Sequence, residues 1–369
     1  MTNMRRLLDL GQSVWLDYLS RGMTRSGELH TLIADGLRGM TSNPTLFEHA
    51  IGHTSDYDMD LTAPAGSGRT DRDIFETLAI EDVREAADVF RGVFDSTEGG
   101  DGFVSLEVSP RLAHDTDGSV AEAGRLWKAL DRPNVMIKIP GTREGWPAIE
   151  RCLRDGININ ITLLFSVDHY RAVAEAYLSA LEARLERGQP IDRIASVASL
   201  FVSRVDTEID DRIHRRGGSL TALRGKVALA GARLAYATFL EITRSDRWRA
   251  LQAKGARPQR LLWASTGTKN PDYSDVLYVD SLIGPETITT VPPATLRLFE
   301  DHGRVSRTLS EDDPTEARRV MRALADGGIE FADVNRTLEE AGIEKFIKSF
   351  DSLLDVIAKK RRTLWSKFD

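Results

Sequence analysis

The sequence predicts an α/β chain folded as a (β/α)8 TIM barrel with additional helices. Three observations predict it. Eight short apolar runs recur along the 369 residues, most of them separated by one helical pattern, which is the rhythm of parallel strands joined by crossover helices. Eight such units are the number that closes a barrel. Four of the runs carry polar side chains on one parity only, and a barrel strand has an interior parity that can hold them.

The first run, 13–17, sets Trp15 and Asp17 opposite Val14 and Leu16. The second, 37–41, leads into Thr41-Ser42-Asn43-Pro44, where Asn43 reads either as the cap of a helix opened by Pro44 or as a site residue. In the third, 103–108, the aliphatics Val104, Leu106 and Val108 alternate with Phe103, Ser105 and Glu107, so Glu107 faces the interior. The fourth, 135–139, opposes Val135, Ile137 and Ile139 to Met136 and Lys138, and Pro140-Gly141 ends it. The fifth, 157–163, alternates Ile157, Ile159, Ile161 and Leu163 with Asn158, Asn160 and Thr162. The sixth, 194–201, runs into Ser199-Leu200-Phe201-Val202-Ser203-Arg204, and the seventh, 260–265, into Ser265-Thr266-Gly267-Thr268-Lys269-Asn270. The eighth is 287–291. The clearest helix is 167–187, with Ser166 as N-cap, Asp168 in its first turn, and Gly188 and Pro190 ending it.

The chain exceeds the roughly 250 residues usual for this fold. The surplus is assigned to a mostly helical insertion at 51–93 with a loop at 64–70, to a second long segment at 209–259, and to helices after Phe299. With no repeat and no linker, residues 1–369 read as one domain.

Composition excludes several function classes. A net charge of −7 argues against a nucleic-acid binder. The longest uncharged stretch, 156–167, is far short of a membrane span. The N-terminal segment is interrupted by charge every few residues, unlike a signal peptide. The single cysteine, Cys152, forms no internal disulfide, which suits a reduced cytoplasm. The basic run 359–362 reads as positive charge at the end of an amphipathic helix, 347–357. His49 and His53 lack the glutamate of a zinc-protease motif, so no metal is expected.

The chemistry is read from the strand ends. A lysine near the C-terminal end of a barrel strand sits where these folds react substrates. Among apolar neighbours its ammonium is disfavoured, and a neutral amine is what a Schiff-base lysine must become; the alternative is a lysine whose head reaches solvent. Asp17 and Glu107 supply acid–base capacity, or else structural ion pairs. Asn160 offers an amide that both donates and accepts to a polyhydroxy substrate. Arg204, with its planar fork, and the Ser265–Lys269 loop outline a phosphate site.

Six blocks in order, MTSNPT (40–45), SLEVSP (105–110), VMIKIP (135–140), NINITLLFS (158–166), SLFVSR (199–204) and WASTGTKNP (263–271), closely resemble those of transaldolases, most of all the longer bacterial subfamily. The similarity spans nearly the whole chain. The resemblance implies a cofactor-free enzyme that moves a dihydroxyacetone unit between sugar phosphates. Sedoheptulose 7-phosphate and glyceraldehyde 3-phosphate would exchange with erythrose 4-phosphate and fructose 6-phosphate, in the non-oxidative pentose phosphate pathway. It implies Lys138 as the Schiff-base lysine, Asp17 as acid and base at the C4 hydroxyl, and Glu107 acting through a water that Thr162 helps position. Asn43, Asn160 and Ser199 would hold the dihydroxyacetone hydroxyls, Arg204 the phosphate, and Phe201 would belong to the substrate pocket. The sequence departs from the family in having Leu200 where many members have proline, and Lys269 where many have an arginine after strand seven, so the second phosphate ligand is left open. Two other activities compete. A fructose-6-phosphate aldolase would tend to carry Gln and Tyr at 107 and 201, and a two-carboxylate glycoside hydrolase would leave Lys138 unexplained. Sugar phosphates are the expected partners, without nucleic acid or membrane. The oligomeric state stays open, a homodimer being compatible with the sequence.

Overall fold

A computed structural model describes residues 1–62, 69–310 and 314–365. Eight parallel strands close into a barrel in sequence order: β1 (Gln12–Asp17), β2 (Leu37–Thr41), β3 (Phe103–Glu107), β4 (Val135–Pro140), β5 (Ile159–Leu164), β6 (Ser196–Phe201), β7 (Arg260–Ala264) and β8 (Thr287–Val291). The pairing of β1 with β8 completes the ring. All eight expected strands are present. The fifth and sixth begin two residues late, because Asn158 spends its side chain tying strand starts together instead of extending the ladder. Its amide donates to the carbonyls of Pro133 and Val135 and its oxygen accepts from the Ala195 N–H.

The strands are buried on both sides, as sequential parallel strands covered by helices must be. At the N-terminal end of the barrel several interior polar groups pair with one another. Asp101, just ahead of β3, accepts from the Ser13 hydroxyl and from Trp15 Nε1 at 2.8 Å, and Arg260 Nη2 donates to Ser13 at 2.7 Å. Trp15 fills the barrel across from β2, where a Cβ on Gly39 would come within 2.5 Å of the indole; only glycine admits that ring.

The strict alternation expected through Leu163 fails at its last step. The β5–β6 register shifts between Ile161 and Leu164, and Leu163 takes a left-handed backbone at φ 57°. This bulge turns Leu163 toward the C-terminal helix, as the contact with Gly342 described below shows. Bulges of this kind collect at barrel rims beside active sites.

The surplus helices are partly reassigned. Within 51–93, the long helix Asp71–Ser96 packs on β3 and is the barrel's own crossover. Thr70 and Asp73 close its start with a reciprocal capping box. What is added there is the helix Pro44–His53 and the short turn Asp58–Leu61. The loop expected at 64–70 lies, up to residue 68, outside the described residues. Within 209–259, the helix Val227–Thr243 packs on β7, whereas Ser203–Arg216 leads away from β6 and meets the C-terminal helix. Ser166 caps the helix Val167–Glu186 as expected, accepting from the His169 N–H at 3.2 Å.

After the last barrel helix, Pro293–His302, come Thr315–Asp326 and a 35-residue helix, Phe331–Trp365. The basic run at 359–362 was expected beyond a helix ending near residue 357, but the helix continues through it. Lys360 instead donates to the carbonyls of Ile51 (2.9 Å) and Thr54 and pairs with Asp58 at 2.7 Å, while Arg361 pairs with Asp71. Lys360 thus closes the C-terminal turn of the helix Pro44–His53, where free carbonyls attract a cation. No helix of the described residues is long and apolar enough to cross a membrane.

Candidate active site

Polar residues of the interior parity gather at the C-terminal ends of the strands. Pairing register sets them side by side: Asp17 lies opposite Thr41, Glu107 opposite Lys138, and Lys138 opposite Asn160. Lys138 is buried, its side chain only 7% exposed, with Nζ 3.8 Å from Glu107 Oε2 and 3.5 Å from the Ser42 carbonyl. An amine held this way is dry, oriented and next to a carboxyl.

Glu107 is the most perturbed acid of the site. Burial pushes its carboxyl up to about 7; the charges of Lys138 and Arg204 pull it down, and Asp17 adds to the rise. A group near 7 exchanges a proton in either direction at neutral pH. Neither carboxyl oxygen has a hydrogen-bond partner within the protein, nor does the Thr162 hydroxyl. Buried polar atoms left over by the fold are places for substrate or water. Asp17 is held by the Thr41 hydroxyl, which donates to Oδ1 at 2.9 Å.

Across the floor runs a chain of side-chain hydrogen bonds. Ser199 donates to Asn160 Oδ1 at 2.7 Å, and Asn160 Nδ2 donates to the Ser105 hydroxyl at 3.0 Å. Parity alone marks Ser105 as an interior residue; its hydroxyl fixes the Asn160 amide. Asn43 does what local sequence allows, capping the helix Pro44–His53 by accepting from the Leu46 N–H at 3.1 Å. Its side chain also borders the cavity, so the two readings of Asn43 are not exclusive.

That cavity, of about 250 Å³, is bordered by eight of the eleven expected site residues: Asp17, Asn43, Lys138, Ser199, Phe201, Arg204, Ser265 and Lys269. Glu107 borders a neighbouring, more apolar cavity, and Asn160 and Thr162 lie fully buried in the barrel. Ser265 stands at φ 56°, a left-handed backbone, and shares a 2.9 Å hydroxyl contact with Ser203. Arg204 lies between two aromatic rings, 4.9 Å from the centroid of Phe201 and 5.6 Å from that of Phe346. Burial pushes its guanidinium below the usual range, against the attraction of Asp17 and Glu107. Two residues later Asp206 accepts from the Tyr278 hydroxyl (2.9 Å) and the Ala228 N–H (2.8 Å), fixing the helix that carries Arg204.

Sequence reading missed Thr290 of β8, and Lys345 and Phe346 of the C-terminal helix, all of which border the cavity. The helix residues lie about two hundred positions beyond Lys138, and nothing local ties them to the barrel mouth. Helix Phe331–Trp365 comes close because Gly342 has no side chain: a Cβ there would meet Leu163 Cδ2 at 2.9 Å.

A family model described as Transaldolase/Fructose-6-phosphate aldolase matches residues 14–357. A protein named Transaldolase from Saccharopolyspora erythraea is 49% identical over 97% of this chain and 98% of its own length. Others so named, from Thermobifida fusca and Trichodesmium erythraeum, are 48% and 46% identical, covering 97% and 96% of this chain and 98% and 97% of their own lengths. A buried lysine beside a carboxyl at the mouth of an eight-stranded barrel, together with near full-length similarity, places this chain in the transaldolase/fructose-6-phosphate aldolase family.

Proposed function

We propose that this enzyme transfers a dihydroxyacetone unit between sugar phosphates through an imine on Lys138. The observation that carries the reading is the burial of that amine 3.8 Å from Glu107, beside a cavity shared with Asp17 and Arg204. Lys138 attacks C2 of the ketose phosphate, and Glu107, titrating near 7, assists the loss of water that forms the iminium. Asp17 takes the proton of the C4 hydroxyl. The C3–C4 bond breaks, its electron pair passes into the iminium, and the aldose phosphate leaves. The remaining enamine adds through C3 to the carbonyl of a second aldose phosphate, whose oxygen receives the proton back from Asp17. Water then releases the new ketose phosphate. Asn43, Asn160 and Ser199 hold the hydroxyls of the three-carbon unit, Thr162 orients the water used with Glu107, and Arg204 and Lys269 attract the phosphate beside Ser265 and Phe201.

Transfer rather than simple cleavage is supported by Glu107 and Phe201, where aldolases of the same family tend to carry Gln and Tyr. The relatives named Transaldolase support it as well. The glycoside hydrolase reading is set aside with the family assignment. We infer that sugar phosphates are its partners and that it works in the cytoplasm. The assay is direct. Fructose 6-phosphate with erythrose 4-phosphate should yield sedoheptulose 7-phosphate and glyceraldehyde 3-phosphate. Fructose 6-phosphate alone should give no sustained release of dihydroxyacetone; steady release would make the enzyme a lyase.

A further inference from the structure

The phosphate side of the cavity holds more positive charge than strands β6 and β7 supply. Lys345 stands on the C-terminal helix Phe331–Trp365 and borders the same cavity as Arg204 and Lys269. Its ammonium is held below the usual lysine range by partial burial, then by the charges of Arg204 and Lys269, so the three cations are near enough to repel one another. None of the three has an ion-pair partner among the described residues. Lys345 has no acid to turn to on its own helix. The positions three and four residues away are Gly342, Ala341, Lys348 and Ser349, and neighbouring Glu344 is taken by Lys348 at 2.6 Å. Arg204 is steadied by the faces of Phe201 and Phe346 and by the more distant charges of Asp17 and Glu107, neither of which is within ion-pair distance. Three unpaired cations around one concavity cost energy in the empty protein, and an anion removes that cost.

We propose that Lys345 is a ligand of the substrate phosphate, delivered by the C-terminal helix to complete the site that Arg204 begins. The assignment rests on the sugar-phosphate reading given above. It answers the departure at Lys269: where a second arginine fork is missing, two lysine point charges from different elements close around the anion. It also gives the helix a purpose at the barrel mouth. Gly342 lets the helix settle against Leu163, and Lys345 and Phe346, three and four residues further on, then reach the cavity rim. The phosphate of either ketose or aldose would bind there, so Lys345 would set preference for phosphorylated over neutral sugars.

The test compares the full-length parent with Lys345→Met, Lys345→Arg and, as a control on the same helix, Lys348→Met. Lys345→Met should raise KM for fructose 6-phosphate, and the inhibition constant of inorganic phosphate, by about ten-fold or more with kcat within about two-fold. Preference for glyceraldehyde 3-phosphate over glyceraldehyde should shrink by a similar factor. Lys345→Arg should recover most of both, and Lys348→Met should match the parent. Unchanged KM and phosphate inhibition, or equal losses on phosphorylated and neutral acceptors, would overturn the assignment. Borohydride reduction of Lys345→Met with saturating fructose 6-phosphate keeps the two questions apart. The Lys138 adduct should still form there, whereas its absence in the parent would count against the Schiff-base reading itself.

Discussion

At the scale of residues, the proposed site contains one carboxyl, Glu107, whose titration burial has raised. Lys138→Met removes the proposed nucleophile while keeping an apolar chain of similar length in an apolar slot. Turnover should fall by at least about a thousand-fold with the circular dichroism spectrum and melting temperature kept near the parent's. Glu107→Gln should lower kcat by roughly a hundred-fold or more, the usual worth of a positioned acid–base group. It should also flatten the limb of the pH–rate profile governed by a group near 7. Stability gives the sign independently. Glu107 titrates near 7 in the folded protein, above its ordinary 4.5. The native state therefore binds more protons between those values, and parental stability falls as pH rises through that window. Glu107→Gln should then be more stable than the parent at pH 8, with the difference shrinking toward pH 4.5. An advantage that grows toward acid would contradict the shift. Asn43 separates its two roles. Asn43→Ser keeps a good helix cap but loses the amide, so it should hold stability while losing activity; Asn43→Ala should lose about 1 kcal/mol as well. The residues read from parity were legible because a barrel interior admits polar side chains only for a reason, and Lys138, Glu107 and Asp17 are charges at the ends of largely apolar strands. Lys345 was not legible, since a lysine on an amphipathic helix looks like any solvated lysine until the helix is docked.

At the scale of elements, strands were easier to read than the segments between them. Strand limits follow from alternation and from terminators such as Pro140-Gly141, which are local signals. Residues 51–93 were read as a single insertion because one long helical pattern resembles another. Only packing against β3 reveals that Asp71–Ser96 is a barrel helix while Pro44–His53 is the addition. The bulge at Leu163 was invisible for a related reason: a leucine with a left-handed backbone is strained, at about 1–3 kcal/mol, and only contacts made elsewhere hold it. Those contacts include the C-terminal helix at Gly342. The far end of that helix is fastened to the helix Pro44–His53 by Lys360. Lys360→Met should destabilise the protein by roughly 1–3 kcal/mol through the carbonyls and Asp58 left behind. It should also raise KM for fructose 6-phosphate, because both helices border the cavity. A stability loss with kinetics untouched would show that the mouth does not depend on this clamp.

At the scale of the whole molecule, the barrel divides its labour between two ends. At the N-terminal end Ser13, Trp15, Asp101 and Arg260 are linked by hydrogen bonds. Asp101→Asn should cost about 1–3 kcal/mol by weakening the hydrogen bonds that Asp101 accepts from Ser13, Trp15 and Arg260, yet kcat at a temperature where the variant is folded should stay near the parent's. At the C-terminal end polar atoms are left without partners on Glu107 and Thr162, and two backbones are held left-handed at Leu163 and Ser265. The central claim is that one buried amine bonds covalently to the substrate ketone. Its most direct measurement is borohydride reduction in the presence of fructose 6-phosphate, followed by mass mapping of the peptides. A reduced adduct confined to the peptide containing Lys138, and absent from Lys138→Met, is the predicted result; no adduct, or one carried by Lys269 or Lys345 instead, would contradict it.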